Sequence, residues 1–195
     1  MKIKIEISGR HCHLSLKDLE TLFGKRHRLK PIRIISQPGQ FASKETVSVR
    51  TAGGRLDNVR VLGPVRGKTQ IEISRTDATK LMINPPVRQS GDLKNSLGAE
   101  LIGPRGSVKI REGVIIAERH VHCDPKTAKK LKLKDGQRVS IKTQGSRSVT
   151  FNNVLVRINK DFSLAFHIDT DEANAATSFN YGQKTEYGLL IIKPK

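Results

Sequence analysis

The chain has no tryptophan, two tyrosines, two methionines and two cysteines among its 195 residues. Two cysteines are too few for a disulfide scaffold, so Cys12 and Cys123 are expected as thiols in a reducing compartment. No apolar run approaches the roughly 18 residues that a membrane span needs. The opening stretch, MKIKIEIS, alternates charge with Ile, which reads as a strand and not as a secretory signal. A cytosolic protein without a membrane partner is the expectation.

Acidic residues are also scarce. Thirty-six Lys and Arg face eighteen Asp and Glu, leaving a formal net charge of +18. Such a surplus suits a polyanionic partner. The basic residues are scattered as singles and pairs, without a recognition helix, and aromatic content is only 4%. Little is therefore available to stack on bases, which argues against nucleic acid. A phosphorylated small molecule fits the charge as well.

What the sequence has in quantity is short alternating segments set off by Gly, Pro and Asn. Candidate strands are 3–7, 32–35, 46–50, 58–62, 69–74, 107–110, 114–117, 138–143, 149–158, 163–168 and 188–193. That many short strands argue for barrels or sandwiches. Three short helices are expected at 14–24, 74–82 and 124–133. Ser15 and Asp124 serve as caps for the first and third, and Pro125 takes the first helical position of the third. The fold class is mainly β.

One motif occurs twice. ISGRHCHLS at 7–15 returns as IAERHVHCD at 116–124, each after a β-like segment and before a short Lys-bearing helix. A weaker echo links VLGPVRGKTQIEI (61–73) with LIGPRGSVKI (101–110), so two related β units are expected. Residues i and i+2 of a strand face the same side, so both imidazoles of His-x-His point together. Neutral imidazole pairs of this kind are a common half-site for zinc.

His167, in FHIDTDEAN, is a further candidate ligand, whereas His27 in its basic stretch is expected to be solvated. Glu72 lies on the face opposite Ile71 and Ile73, either as a ligand or as a solvent-facing strand residue. The acids Asp169, Asp171 and Glu172 fit a helix N-terminus. Loops 36–45 and 85–92 carry the Gly, Pro and small polar residues that can bind phosphate oxygens, though neither is a P-loop. Arg66, in a glycine-flanked turn, has a phosphate or water as its expected partner.

Taken in order, SGRHCHLS, SQPGQFASKETV, NVRVLGPVR, TQIEIS, PPVRQSGD, AERHVH and HIDTDEANAA resemble the PduL-type phosphotransacylases. These phosphate acyltransferases were first associated with propanediol-using microcompartments. The resemblance spans roughly residues 3–178. It implies two β-barrels with short capping α-helices and an active site between the barrels. One barrel would comprise residues 10–117, and the other 118–187 completed by the N-terminal strand 1–9. It also implies two Zn2+ ions, one held by His11, His13 and Glu72 with the coenzyme A sulfur in its open position. The other would be held by His120, His122 and His167, completed by water or phosphate. Arg66 matches the phosphate-binding arginine, and coenzyme A contacts fall at Ser8, Arg33, Arg60, Leu62 and Asn174. A homodimer is a further implication.

The reaction so implied interconverts short-chain acyl-CoA and phosphate with acyl phosphate and CoA, the acyl group being acetyl or propanoyl. It proceeds by direct attack of a zinc-bound CoA thiolate, without an acyl-enzyme. Cys12 and Cys123 stand where that family more often has an apolar residue, and an incidental role is expected of them. The N-terminal extension that directs some relatives into a microcompartment has no counterpart here, so a cytoplasmic enzyme is expected. Two rival readings share some of the residues. A dinuclear metal hydrolase of phosphate esters would use the same His-x-His pairs, and a basic nucleic-acid-binding β-barrel protein would account for the charge.

Overall fold

The computed structural model describes residues 1–176 and 186–192. The first half of the chain forms β1 (Lys2–Ser8), β2 (His11–His13), α1 (Leu16–Phe23), β3 (Pro31–Ile34), β4 (Phe41–Arg50), β5 (Arg55–Gly63), β6 (Gln70–Glu72), α2 (Arg75–Lys80) and β7 (Val87–Arg88). There follow β8 (Leu97–Ile102), β9 (Ser107–Ala117), β10 (His120–Cys123), α3 (Pro125–Leu131), β11 (Arg138–Lys142), β12 (Thr150–Ile158), β13 (Ala165–Asp169), α4 (Thr170–Ala176) and β14 (Glu186–Ile191). The chain divides into two compact units, Met1–Ser8 with Glu118–Lys195, and Gly9–Ala117. No helix among the described residues is long and apolar enough to cross a membrane.

Each unit is built on a closed ring of six strands. In the unit that contains both termini the order is β1-β13-β10-β12-β11-β14. In the other, β4, β5, β2, β6, β9 and β8 pair in turn and β8 returns to β4. Strands β3 and β7 attach to that ring at β4 and β9.

The two rings share one pairing scheme. β2 runs parallel to β5 and antiparallel to β6, as β10 runs parallel to β12 and antiparallel to β13. β6 then runs parallel to β9, as β13 does to β1. By this correspondence β1 answers to β9. Each therefore leads into a His-x-His strand that belongs to the other unit, and the sequence repeat straddles the unit boundaries.

Alternation explains the cores. Ile3, Ile5, Val121, Cys123, Phe166 and Ile168 fill one barrel, and Cys12, Leu14, Val59, Val61, Ile71 and Val114 belong to the core of the other. Both rings also bend at an equivalent place. Asn58 in β5 and Asn153 in β12 each adopt φ 57°, beside a register shift against the neighbouring strand. Asn tolerates this left-handed conformation better than most residues, and one extra residue there bends the strand.

The three expected helices form. Ser15, Ser74 and Asp124 cap them by accepting from the N–H groups of Asp18, Asp77 and Thr127. The acids of 169–172 open a fourth helix as a reciprocal cap. The Glu172 N–H donates to Asp169 Oδ1 at 2.8 Å, and the Asp169 N–H donates to Glu172 Oε2 at 3.1 Å.

Several expectations change. The strands expected at 107–110 and 114–117 are one strand, kinked at Gly113 (φ 139°), where an added Cβ would lie 2.9 Å from the Thr69 carbonyl oxygen. Strand β8 reads as loop because Gly98 and Glu100 blur its alternation. The weaker Gly-Pro echo does not mark the repeat, since residues 61–73 and 101–110 lie in one unit on non-equivalent strands. The last residue of the strand expected at 188–193 lies outside the described residues.

Candidate metal centres

Both His-x-His motifs are strands too short to show alternation in sequence, yet they obey it. Cys12 and Leu14 enter the core with no exposed surface, and so do Val121 and Cys123. The four histidines consequently turn to the opposite face, where His11, His13, His120 and His122 are nevertheless buried. Ring centroids lie 5.3 Å apart for His11 and His13, and 4.5 Å apart for His120 and His122.

The third donor comes from the neighbouring antiparallel strand. Glu72 is the register partner of His11, and His167 is the register partner of His120. Residues directly opposite in a ladder share a face. Two donor groups result, His11, His13 and Glu72 in one unit and His120, His122 and His167 in the other. Within each group the donor atoms all lie within 4.8 Å of one another.

These groups have the chemistry of a divalent metal site. Nδ1 of His11 is 2.8 Å from the Gly9 carbonyl oxygen, and Nδ1 of His120 is 2.7 Å from that of Glu118. A carbonyl only accepts, so each Nδ1 carries a hydrogen, which leaves Nε2 as the nitrogen available to a metal. Nδ1 of His13 is buried without a hydrogen-bond partner among the described residues, as a nitrogen reserved for a cation would be. Three N/O donors from two His and a Glu, or from three His, are the sets that catalytic zinc sites use.

Burial and neighbouring charge act together on the first group. Burial disfavours the His11 imidazolium, but the Glu72 carboxylate 3.6 Å away, together with the Gly9 carbonyl, outweighs it and raises the His11 pKa. Burial likewise opposes the Glu72 carboxylate, yet His11 and then His13 hold it well below the usual range. Burial and then the Arg66 charge push His13 down to about 3, so its ring is the neutral, ligating form at neutral pH.

Gln70 on β6 and Ser90 in the loop after β7 orient Glu72. The Ser90 hydroxyl donates to Glu72 Oε1 at 2.7 Å and accepts from Gln70 Nε2 at 2.9 Å. Gln70 Nε2 also donates to Glu72 Oε1, and Gln70 Oε1 accepts from the Gly91 N–H. Arg66 Nη1 lies 3.4 Å from Ser90 Oγ, which puts the guanidinium beside this group.

A second repeat surrounds the first. The arginine that opens each Arg-His-x-His motif pairs with an acid five residues beyond the third donor. Arg10 meets Asp77 at 2.6 Å, five residues after Glu72, and Arg119 meets Glu172 at 3.2 Å, five residues after His167. Each pair ties the start of the His-x-His strand to the helix that follows the third donor.

A family model described as phosphate propanoyltransferase matches residues 4–178, nearly the whole of this architecture. The chain belongs to that family. It is 52% identical over 175 residues to a phosphate propanoyltransferase of Thermotoga maritima, covering 89% of this chain and 83% of the relative. The corresponding protein of Salmonella typhimurium is 45% identical over 179 residues, covering 91% and 85%. That of Listeria monocytogenes is 44% identical over 193 residues, covering 99% and 89%.

Other candidates fall into place unevenly around this phosphate propanoyltransferase frame. Arg60 is the register neighbour of His11 on β5, but its Nη1 donates to the carbonyls of Ser43 and Lys44. Leu62 follows on the same strand and offers its backbone to the His13 ring. Arg33 lies on β3, whose four residues are all exposed. In the other unit, Ser8 ends β1 opposite Asp169, and Asn174 is exposed on α4.

Sequence reasoning missed Gln70, Ser90, Arg10, Arg119 and Arg157. Arg157 is the register neighbour of His122, and its guanidinium lies 5.6 Å from the Phe162 ring that stacks on that histidine. The available signal was positional, since Gln70 and Arg157 alternate with core residues on strands already identified. One of the two alternatives for Glu72 drops out, and the expectation for His27 needs correction. Glu72 is buried at 7% exposure, not solvent-facing. His27 is not simply solvated, because its Nε2 lies 2.9 Å from Glu45 Oε1 and its ring stacks on Phe23.

Proposed function

We propose that the protein is a phosphate acyltransferase that interconverts short-chain acyl-CoA and phosphate with acyl phosphate and CoA, the acyl group being acetyl or propanoyl. The observation that carries this reading is the pair of equivalent donor groups in a chain of the phosphate propanoyltransferase family. His11, His13 and Glu72 would hold one zinc ion, and His120, His122 and His167 another. An ion held there would supply Lewis-acid charge and, at the first group, would favour the thiolate form of the coenzyme A thiol.

The chain's own residues supply the rest. Arg66 presents a fixed positive charge for phosphate or acyl phosphate, and its link to Ser90 keeps it near Glu72. Ser90 and Gln70 hold the Glu72 carboxylate in one orientation, so no reorganisation is needed during reaction. Ser8, Arg33, Arg60, Leu62 and Asn174 are the proposed coenzyme A contacts.

A direct transfer is favoured over an acyl-enzyme. Both thiols face the cores, and burial pushes Cys12 up to about 12 and Cys123 up to about 11. Neither is a competent nucleophile at neutral pH. A cytoplasmic homodimer is part of the same proposal.

The test is release of phosphate from acetyl phosphate and propanoyl phosphate, with and without CoA, before and after chelation. CoA-dependent release with stoichiometric thioester formation, abolished by chelation and restored by zinc, is expected. Equal release without CoA would instead identify a hydrolase.

A further inference from the structure

We propose that Glu6 is a fourth protein ligand of the metal centre formed by His120, His122 and His167. The inference rests on the two-centre reading above and concerns a residue that it leaves without a role. In β1, Ile3 and Ile5 enter the core, so Lys4 and Glu6 occupy the opposite face. Glu6 is the register partner of His167 in the parallel β1–β13 ladder, which sets its carboxylate on the imidazole face.

The two carboxylate oxygens have different neighbours. Oε1 lies 2.7 Å from Lys4 Nζ, and Oε2 lies 3.8 Å from His167 Nε2. The second distance is too long for a hydrogen bond. It is close to the separation of two donors on one ion, since tetrahedral zinc bonds to N and O place the donors about 3.4 Å apart. In the first centre, His11 Nε2 and Glu72 Oε2 are similarly spaced at 3.6 Å.

Comparison of the units strengthens the assignment. In the first centre the carboxylate is on β6 and its register neighbour on β9 is Ile115, a fully buried apolar residue that cannot bind a metal. In the second centre the β6 position is taken by His167 and the β9 position by Glu6. The acid has moved one strand over. With Glu6 counted, each centre has one carboxylate against a dication; without it, three neutral imidazoles leave the second centre one charge more positive. As a ligand Glu6 would occupy the position open to phosphate, and Lys4 offers it an ion pair when an anion displaces it.

The experiment titrates the metal-depleted full-length protein with Co2+, following visible absorption and competition with a chelator of known affinity. Wild type, Glu6→Gln, Glu6→Asp and a His122→Ala reference for the second centre are compared. Two bound ions are expected in wild type. Glu6→Gln should weaken one of them about tenfold or more, change its absorption band and leave the other ion as it was. Glu6→Asp should restore part of the affinity. Glu6→Gln with both affinities and both bands unchanged would overturn the ligand assignment alone. A wild-type chain with no ion at the centre that His122→Ala removes would overturn the two-centre reading and this inference with it.

Discussion

Glu72 stands directly across the β2–β6 ladder from His11, with 3.6 Å between its Oε2 and His11 Nε2. The equivalent partner of His120 is His167. A carboxylate in one unit and an imidazole in the other thus fill one structural position. Glu72→Ala should lower metal affinity at the first centre by more than the roughly 10–100-fold typical of second-shell losses. Glu72→His should recover much of it, and Ser90→Ala should fall within the second-shell range. Calorimetric metal titration of the three variants checks this order.

The arginines of the repeated motif should act through strand placement. The side chain of Arg10 is 39% exposed and that of Asp77 8%, so their pair lies between the surface and fully buried limits. Arg10→Ala is expected to destabilise the protein by about 1–2 kcal/mol and to weaken the first centre. Arg119→Ala, whose partner Glu172 is more exposed, should lose about 0.5–1 kcal/mol and weaken only the second. Urea melts with metal titration distinguish the two centres.

The cysteines should be inert. Burial raises both thiols, so a maleimide should modify neither Cys12 nor Cys123 in the native protein and both once it is unfolded. Val121 fills on β10 the place that Cys12 fills on β2, so Cys12→Val should change stability by about 1 kcal/mol or less. Rapid native labelling would contradict the core placement.

Glu45 should contribute an acid-dependent share of stability. Burial opposes its charge, but the Lys30 N–H and His27 outweigh that and lower its pKa below the ordinary 4.5. A depressed carboxyl stabilises above its unfolded value and loses that contribution as pH falls through the folded one. The stability gap between wild type and Glu45→Gln should therefore be widest above pH 4.5 and close on further acidification. Urea midpoints across that range measure it.

Much of this arrangement was legible before the structure. Period-two alternation located most strands, and Ser15 and Asp124 announced their helices through capping chemistry. The two Arg-His-x-His motifs pointed to paired imidazoles because strand geometry is local. What escaped was non-local. Nothing in KIKIEIS tells that β1 closes the unit opposite the one it leads into, and only family resemblance suggested it. Glu6 read as one charge in an alternating strand, since its meaning depends on lying beside His167. Ser90 was hidden in a Gly- and Pro-rich loop whose partner, Glu72, is 18 residues away. The burial of Glu72 was open as well, because alternation along TQIEIS fixes the face it shares and not what covers that face.

The most direct test is activity against zinc equivalents. Metal-depleted protein, titrated with zinc and assayed for CoA-dependent conversion of acyl phosphate, should recover full activity only at two equivalents per chain. His13→Ala and His122→Ala should each bind one ion and stay inactive. Full activity of the metal-free chain, or of either variant, would contradict the account.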